Sequence, residues 1–154
     1  MAPAVSLRCL ETSSMNEARV FLDSNVLVYA HDVSAGAKNE TAREIIGDLW
    51  NRKNGALSTQ VVQEFFVTVT RKLPQSMETV IAQRVVSDLL KWHLVVNDGQ
   101  TILDAIELMK RYKFSFWDCL IVQAALHSGA ELLLSEDLSS GQKIGGMTIE
   151  NPFE

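Results

Sequence analysis

The stretch Val20-Phe21-Leu22-Asp23-Ser24-Asn25-Val26-Leu27 indicates the fold of this 154-residue chain. It begins as an apolar run typical of a buried strand, presents one carboxylate, and resumes with the apolar spacing of a short helix. Ser24 or Asn25 is predicted to cap that helix. In open α/β folds such a strand-to-helix junction lies at the carboxyl edge of the sheet, where ligands bind. Asp23 is therefore the first candidate site residue.

Length and composition predict a single globular domain. With 47% hydrophobic and 21% charged residues, the chain has an ordinary composition and can bury about two-thirds of its unfolded surface. No apolar run reaches the roughly 18 residues of a membrane span. We predict one domain over residues 19–154, preceded by an extension at residues 1–18 that lacks periodicity and is a candidate for disorder. Met15 is an alternative translation start within it.

Charge and cysteine content narrow the functional classes. A net charge of −5 argues against nucleic-acid binding by bulk electrostatics, but it is compatible with a nuclease whose acids hold divalent cations. Cys9 and Cys119 are isolated, which argues against a disulfide framework or a zinc cluster. Arg8 and Glu11 interrupt the N-terminal apolar residues, so no signal peptide is expected. These features predict a cytoplasmic protein.

Short apolar runs alternate with helical spacing along the rest of the chain. Further strands are predicted at residues 56–58, 94–96, 131–135 and 147–149, and a loop at 33–36. Two helices are predicted over residues 76–92 and 101–112, and three others are predicted to end near residue 52, before Pro74 and before Gly129. Strands separated by helices are typical of an α/β fold with a mostly parallel sheet. We predict a three-layer α/β/α sandwich.

Four acids are predicted to meet at one edge of this sheet. Asp23 and Asp137 follow predicted strands, whereas Glu64 and Asp118 lie near the starts of helices that leave the same edge. Carboxylates packed together repel one another and raise one another's pKa. Such a cluster is therefore reasonable chiefly around a hard cation.

Each acid also has a simpler interpretation. Glu64 and Asp118 could serve only as helix caps or dipole partners. Asp137 competes with its neighbour Glu136 and could be a solvated loop acid. Asp23 is harder to explain structurally, because its apolar neighbours place it near the core, where an unpaired charge is costly. The joint placement of the acids favours the functional interpretation.

The four acids stand in motifs that resemble those of one family. The motifs are Phe21-Leu22-Asp23-Ser24-Asn25, Gln63-Glu64-Phe65, Phe116-Trp117-Asp118-Cys119-Leu120-Ile121 and Leu134-Ser135-Glu136-Asp137-Leu138. In this order they resemble the PIN-domain ribonucleases, and within that family the VapC toxins of type II toxin–antitoxin pairs. The resemblance covers about Val20 to Phe153. It departs from the family at residues 138–141, where Leu-Ser-Ser-Gly replaces an Asp-rich segment.

The resemblance implies a metal-dependent endoribonuclease. Mg²⁺ or Mn²⁺ would be held by Asp23, Glu64, Asp118 and Asp137, with the last acid the least well defined. Short polar side chains would orient water or carboxylates; these are Ser24, Asn25 and Ser135, each also a plausible plain cap. The implied partners are an RNA substrate, a cognate antitoxin and a second copy of the chain, with no membrane.

Basic and aromatic residues near the acids are further candidates. Two groups of basic residues could steer an RNA backbone toward the metals. The first group is Arg71 and Lys72, and the second is Lys110, Arg111 and Lys113. Alternatively, they only complement helix dipoles at carboxyl ends. Trp117 could stack on a base, although packing in the core or in a dimer contact is the favoured interpretation.

Other functions remain open at this point. A housekeeping RNA-processing PIN nuclease would carry the same acids, and a non-catalytic RNA-binding or regulatory module would bind RNA without cleaving it. An aspartyl-phosphate phosphatase also places an Asp after its first strand. That chemistry normally requires a second Asp two residues later, where this chain has Asn25.

Overall fold

A computed structural model describes residues 18–154. The predicted extension, with Cys9 and Met15, lies outside the described residues apart from Ala18, which is buried. The elements are β1 (Val20–Leu22), α1 (Ser24–Ala30), α2 (Ala37–Arg52), β2 (Gly55–Ser58), α3 (Thr59–Arg71), α4 (Thr79–Leu89), β3 (His93–Val95), α5 (Gly99–Arg111), α6 (Phe116–His127), β4 (Leu132–Leu134), β5 (Lys143–Ile144) and β6 (Met147–Glu150). Within this range, no helix has both the length and the apolar character needed to cross a bilayer.

The strands form one sheet in the order β3-β2-β1-β4-β6-β5. All neighbours pair in parallel except β5 and β6, which are antiparallel. The chain first builds outward from β1 through β2 to β3, and then returns to the other side of β1 with β4. Because parallel crossovers are right-handed, the helices of these two halves cover opposite faces of the sheet. The predicted three-layer α/β/α sandwich is confirmed.

The core is centred on β1 and β4, which lie side by side. All six residues of these two strands are at most 2% exposed, as expected for central parallel strands covered on both faces. Leu22 pairs with Leu134 at the carboxyl ends of the strands. The order of the strands reverses at this junction, so the crevice outside it is the place where α/β folds bind ligands.

Several local features differ from the sequence prediction. The predicted loop at residues 33–36 contains a 3-10 helix at Val33–Ala35. The helix predicted over residues 76–92 is shorter and forms α4. β5 was not predicted, because two residues are too few to show a period and the strand depends on its pairing with β6. None of these differences moves the carboxyl edge of β1 and β4.

Candidate active site

Asp23 lies at the junction between β1 and α1. Its backbone N–H donates to the Leu134 carbonyl at 3.0 Å, which continues the pairing of β1 with β4 by one residue. The Asp23 side chain accepts a hydrogen bond from the Ser24 backbone N–H at 2.7 Å and is the N-cap of α1. The prediction that Ser24 or Asn25 caps this helix is therefore wrong, because the carboxylate itself reaches the first helical N–H.

The Asp23 carboxyl group is buried in a chemically unusual setting. It is 6% exposed, and burial raises its pKa from 3.8 to about 6. Hydrogen bonds from Ser135 Oγ, at 2.7 Å, and from the Ser24 N–H lower the pKa, whereas the nearby charges of Glu64 and Asp137 raise it further. Asp23, Glu64 and Asp137 are thus close enough to interact electrostatically at the edge of the sheet.

Glu64 is held at both carboxylate oxygens by short polar side chains. The Ser24 hydroxyl donates to Oε2 at 2.9 Å, and the Gln60 amide nitrogen donates to Oε1 at 2.9 Å. Glu64 is in the second turn of α3, and Ser58 caps that helix by accepting from the Val61 N–H. Ser24 therefore connects the Asp23 junction directly to Glu64.

Glu136 and Asp137 point to different partners. The Glu136 carboxylate accepts from the Tyr29 hydroxyl at 2.5 Å and pairs with the Lys38 ammonium. Burial opposes ionisation of Glu136, but the hydrogen bonds from Lys38 and Tyr29 hold its pKa below the ordinary value. Asp137 instead accepts from the Asn25 side-chain amide at 3.2 Å and raises the pKa of Asp23. Of the two acids, Asp137 is the one facing Asp23.

Asn25 and Ser135 shape the loop that carries Asp137. The Asn25 side-chain oxygen accepts from the Glu136 N–H at 3.3 Å, while its amide nitrogen donates to Asp137. Ser135 is fully buried, and its hydroxyl both donates to Asp23 and accepts from the Asp137 N–H at 3.1 Å. Both side chains thus connect the end of β4 to the start of α1.

Asp118 reaches this neighbourhood less directly. Ser115 caps α6 by accepting from the Asp118 N–H at 3.1 Å. In the described part of the chain, no hydrogen bond links the Asp118 side chain to Asp23, Glu64 or Asp137. The connection is through the backbone, because the carbonyl of Trp117 accepts from the Gln60 amide at 3.3 Å.

The donors around Asp23 are of the kind that a hard divalent cation prefers, since they are carboxylate and hydroxyl oxygens. No Lys or Arg among residues 18–154 forms an ion pair with Asp23, Glu64 or Asp137, so their negative charges lack a cationic partner in that range. Within it, no group of three or more Asp, Glu, His or Cys side chains has the spacing of a metal site. The residues fit a metal ion in donor chemistry, and binding one would draw the acids together.

The predicted basic residues are exposed, and they lie at helix ends. Arg71 and Lys72 end α3, whereas Lys110 and Arg111 end α5 and Lys113 follows in the turn before α6. Lys110 pairs with Glu107 at 2.8 Å. None of the five hydrogen-bonds to a candidate acid in the described residues.

Trp117, in the first turn of α6, is 64% exposed and contacts Phe116 edge-on at a ring-centroid distance of 5.3 Å. Of the two packing roles predicted for it, packing in the core is wrong, and a dimer contact stays a prediction. The indole instead projects from the turn that carries Asp118. Cys119 is fully buried, and burial raises the pKa of its thiol, consistent with a structural cysteine.

Sequence reasoning missed Gln60, Tyr29 and Lys38. Gln60 had a detectable signal, because residues four apart on a helix share a face and Glu64 follows it by four. Tyr29 and Lys38 gave no such signal, since their contact with Glu136 joins segments 98 or more residues apart along the chain.

Comparison with known proteins gives one matching family model, described as "PIN domain", over residues 20–139. No curated protein matches the chain. Among solved structures, a toxin–antitoxin complex from Klebsiella pneumoniae is similar, with a TM-score of 0.64 and 18% identity over 88% of this chain and 98% of that chain. DNA-bound VapBC from Salmonella typhimurium has a TM-score of 0.62 and 17% identity, also over 88% and 98%. Mycobacterium tuberculosis VapC20, a toxin that cleaves the sarcin-ricin loop, has a TM-score of 0.57 and 16% identity over 74% and 86%.

Proposed function

This chain belongs to the PIN domain family, and from that premise we propose that it is a Mg²⁺- or Mn²⁺-dependent endoribonuclease acting as the toxin of a toxin–antitoxin pair. The proposal is carried by one observation: a buried Asp23 carboxylate beside Glu64 and Asp137 at the switch point of the sheet. Like charges at a ligand-binding crevice are costly unless a cation joins them.

The roles of the residues follow from their hydrogen bonds. Asp23, Glu64, Asp118 and Asp137 would hold the metal, which when bound would activate water for attack on a phosphodiester and stabilise the leaving oxygen. Two hydroxyls would fix the orientation of the ligands, because Ser24 donates to Glu64 and Ser135 donates to Asp23. Such outer hydrogen bonds keep a carboxylate in the geometry that a metal requires.

Asn25 would orient Asp137, to which it donates. Glu136 is less suited to bind a metal, because Lys38 and Tyr29 already occupy its two oxygens. Exposed basic residues would attract the phosphate backbone of RNA. These are Lys110, Arg111 and Lys113 before α6, and Arg71 and Lys72 at the end of α3.

The proposed partners are RNA, a cognate antitoxin and a second copy of the chain. Two of the similar structures are a toxin–antitoxin complex and VapBC bound to DNA, which supports an antitoxin for this chain. The protein would act in the cytoplasm, as its isolated cysteines suggest. Co-expression with the product of a neighbouring small reading frame should relieve growth arrest caused by the chain alone.

The central test is cleavage of total RNA by the purified protein with Mg²⁺ or Mn²⁺. We expect cleavage that chelator abolishes and that Asp23→Asn lacks. Asp88→Asn makes the same acid-to-amide change at an exposed position on α4 and should leave cleavage intact. Cleavage that persists with chelator or in Asp23→Asn would refute the metal site, and RNA binding without cleavage would indicate a non-catalytic module.

A further inference from the structure

Gln60 is a buried polar residue that joins two parts of the candidate site. It is 7% exposed and lies in the first turn of α3. Its amide nitrogen donates to Glu64 Oε1 at 2.9 Å and to the carbonyl of Trp117 at 3.3 Å. That carbonyl belongs to the peptide group connecting Trp117 to Asp118. One side-chain amide therefore holds a candidate metal ligand on α3 and the backbone next to another on α6.

The chemistry of the contacts fixes the orientation of the Gln60 amide. Both partners, the Glu64 carboxylate and the Trp117 carbonyl, are acceptors, so only the NH₂ end can face them. The other end, Oε1, is buried and has no hydrogen-bond partner among residues 18–154. Leaving a buried acceptor unpaired costs free energy, which an apolar side chain of similar length would avoid. The donor side of the amide is thus the feature that explains a glutamine at this position.

Residues other than Gln60 cap α3 and form its buried apolar face. Ser58 already caps α3, and Val61, Phe65 and Val69 are buried along the helix. The Gln60 and Glu64 side chains meet because residues four apart lie on the same face of a helix. Its second bond crosses to α6 and so lies outside the hydrogen bonding of α3 itself.

We propose that Gln60 is a positioning residue that sets the separation between Glu64 and Asp118 and so tunes the affinity of the site for divalent metal. This inference rests on the proposed function, because it assigns both acids to one metal site. In this role Gln60 would contact neither the metal nor RNA. It would act by restraining the Glu64 carboxylate and the first turn of α6. Mutation of residues that hold metal ligands in this way typically lowers metal affinity or activity 10- to 100-fold.

The test measures Mn²⁺ binding directly, by electron paramagnetic resonance of free Mn²⁺, alongside RNA cleavage. Gln60→Met keeps the length of the side chain and removes the amide. Gln83→Met makes the same change at an exposed position on α4 and serves as the matched control. Gln60→Asn, which keeps the amide but is one methylene shorter, is a second variant should Gln60→Met fold poorly. Circular dichroism and thermal melting in chelator establish that each variant is folded.

We expect Gln60→Met and Gln60→Asn to raise the Kd for Mn²⁺ at least tenfold and Gln83→Met to leave it within twofold. At saturating Mn²⁺, kcat should largely recover with an unchanged KM for RNA, a pattern that a general loss of structure would not produce. Wild-type Mn²⁺ affinity in either folded Gln60 variant would overturn the inference while leaving the nuclease proposal intact. Absence of Mn²⁺ binding and cleavage in the wild type and Gln83→Met would overturn both.

Discussion

Replacing Asp23 with Asn should stabilise the metal-free protein while abolishing its proposed activity. The reason lies in the proton balance of the carboxyl group. In the native state Asp23 titrates with a pKa of about 6, compared with an ordinary value of 3.8, because it is buried beside Glu64 and Asp137. Between these two pH values the native state binds more protons than the unfolded state. Stability therefore falls as pH rises through this window, and stays reduced above it.

The size of the effect follows from the two pKa values. The difference between 3.8 and about 6 corresponds to roughly 3 kcal/mol at pH 8, where Asp23 is ionised in both states. At pH 5 roughly half of that penalty has developed. Asn carries no charge and remains a good N-cap, so the variant avoids the penalty. For a domain of this size we expect Tm at pH 8 to rise on the order of 6–12 °C.

The assay is urea unfolding of the wild type and Asp23→Asn in chelator at pH 5 to 8. Taking the difference between the two proteins cancels the titration of the groups that do not interact with Asp23. Asp98→Asn is a control in which the stability change should have the opposite sign. Backbone and side-chain hydrogen bonds from Thr101 lower the pKa of Asp98, so this variant should be less stable than the wild type at pH 8. Added Mn²⁺ should stabilise the wild type and not Asp23→Asn. A stability difference that is absent at pH 8, or independent of pH, would refute the reasoning.

Three further predictions concern the surroundings of the site. Gly55→Ala should destabilise the protein by about 1–3 kcal/mol in urea unfolding, because an added Cβ would lie 2.3 Å from the Trp92 ring; an unchanged midpoint would contradict this contact. Lys38→Met should raise the pKa of Glu136 toward its ordinary value in an NMR titration, since it removes the ammonium that holds the pKa down. Trp117→Ala should change the free energy of unfolding by less than about 0.5 kcal/mol, because the indole is 64% exposed.

The fold was predictable from sequence where burial leaves a continuous pattern. β1 and β4 are covered on both faces, so each is an uninterrupted apolar run, and the acids that follow them could be assigned to the same edge. β5 could not be predicted in this way. Its two residues, Lys143 and Ile144, form a strand only because glycines at 145 and 146 turn the chain back to pair with β6.

The candidate site was predictable only at the level of the backbone. Sequence places an acid after a strand or at a helix start, but it does not tell which way neighbouring side chains point. Glu136 and Asp137 are adjacent, and their different partners depend on Lys38 and Asn25, which lie on other segments. The link from Gln60 to Trp117 likewise joins residues 57 positions apart, beyond the reach of any local pattern.

An unpaired buried polar atom does not by itself mark a functional site in this protein. Trp92 Nε1 and Asn54 Oδ1 are also buried, and within the described part of the chain they have no hydrogen-bond partner. Both residues precede strands, at the opposite edge of the sheet from the acids. The carboxyl edge differs because two costs coincide there, namely the buried charge of Asp23 beside other acids and the unpaired oxygen of Gln60. In an otherwise stable fold, energetically unfavourable local features such as these are expected at functional sites. A bound cation would offset the cost of the buried Asp23 charge by attracting the acids. The Gln60 amide leaves its oxygen unpaired because its nitrogen donates to Glu64, and this bond holds Glu64 for such a cation.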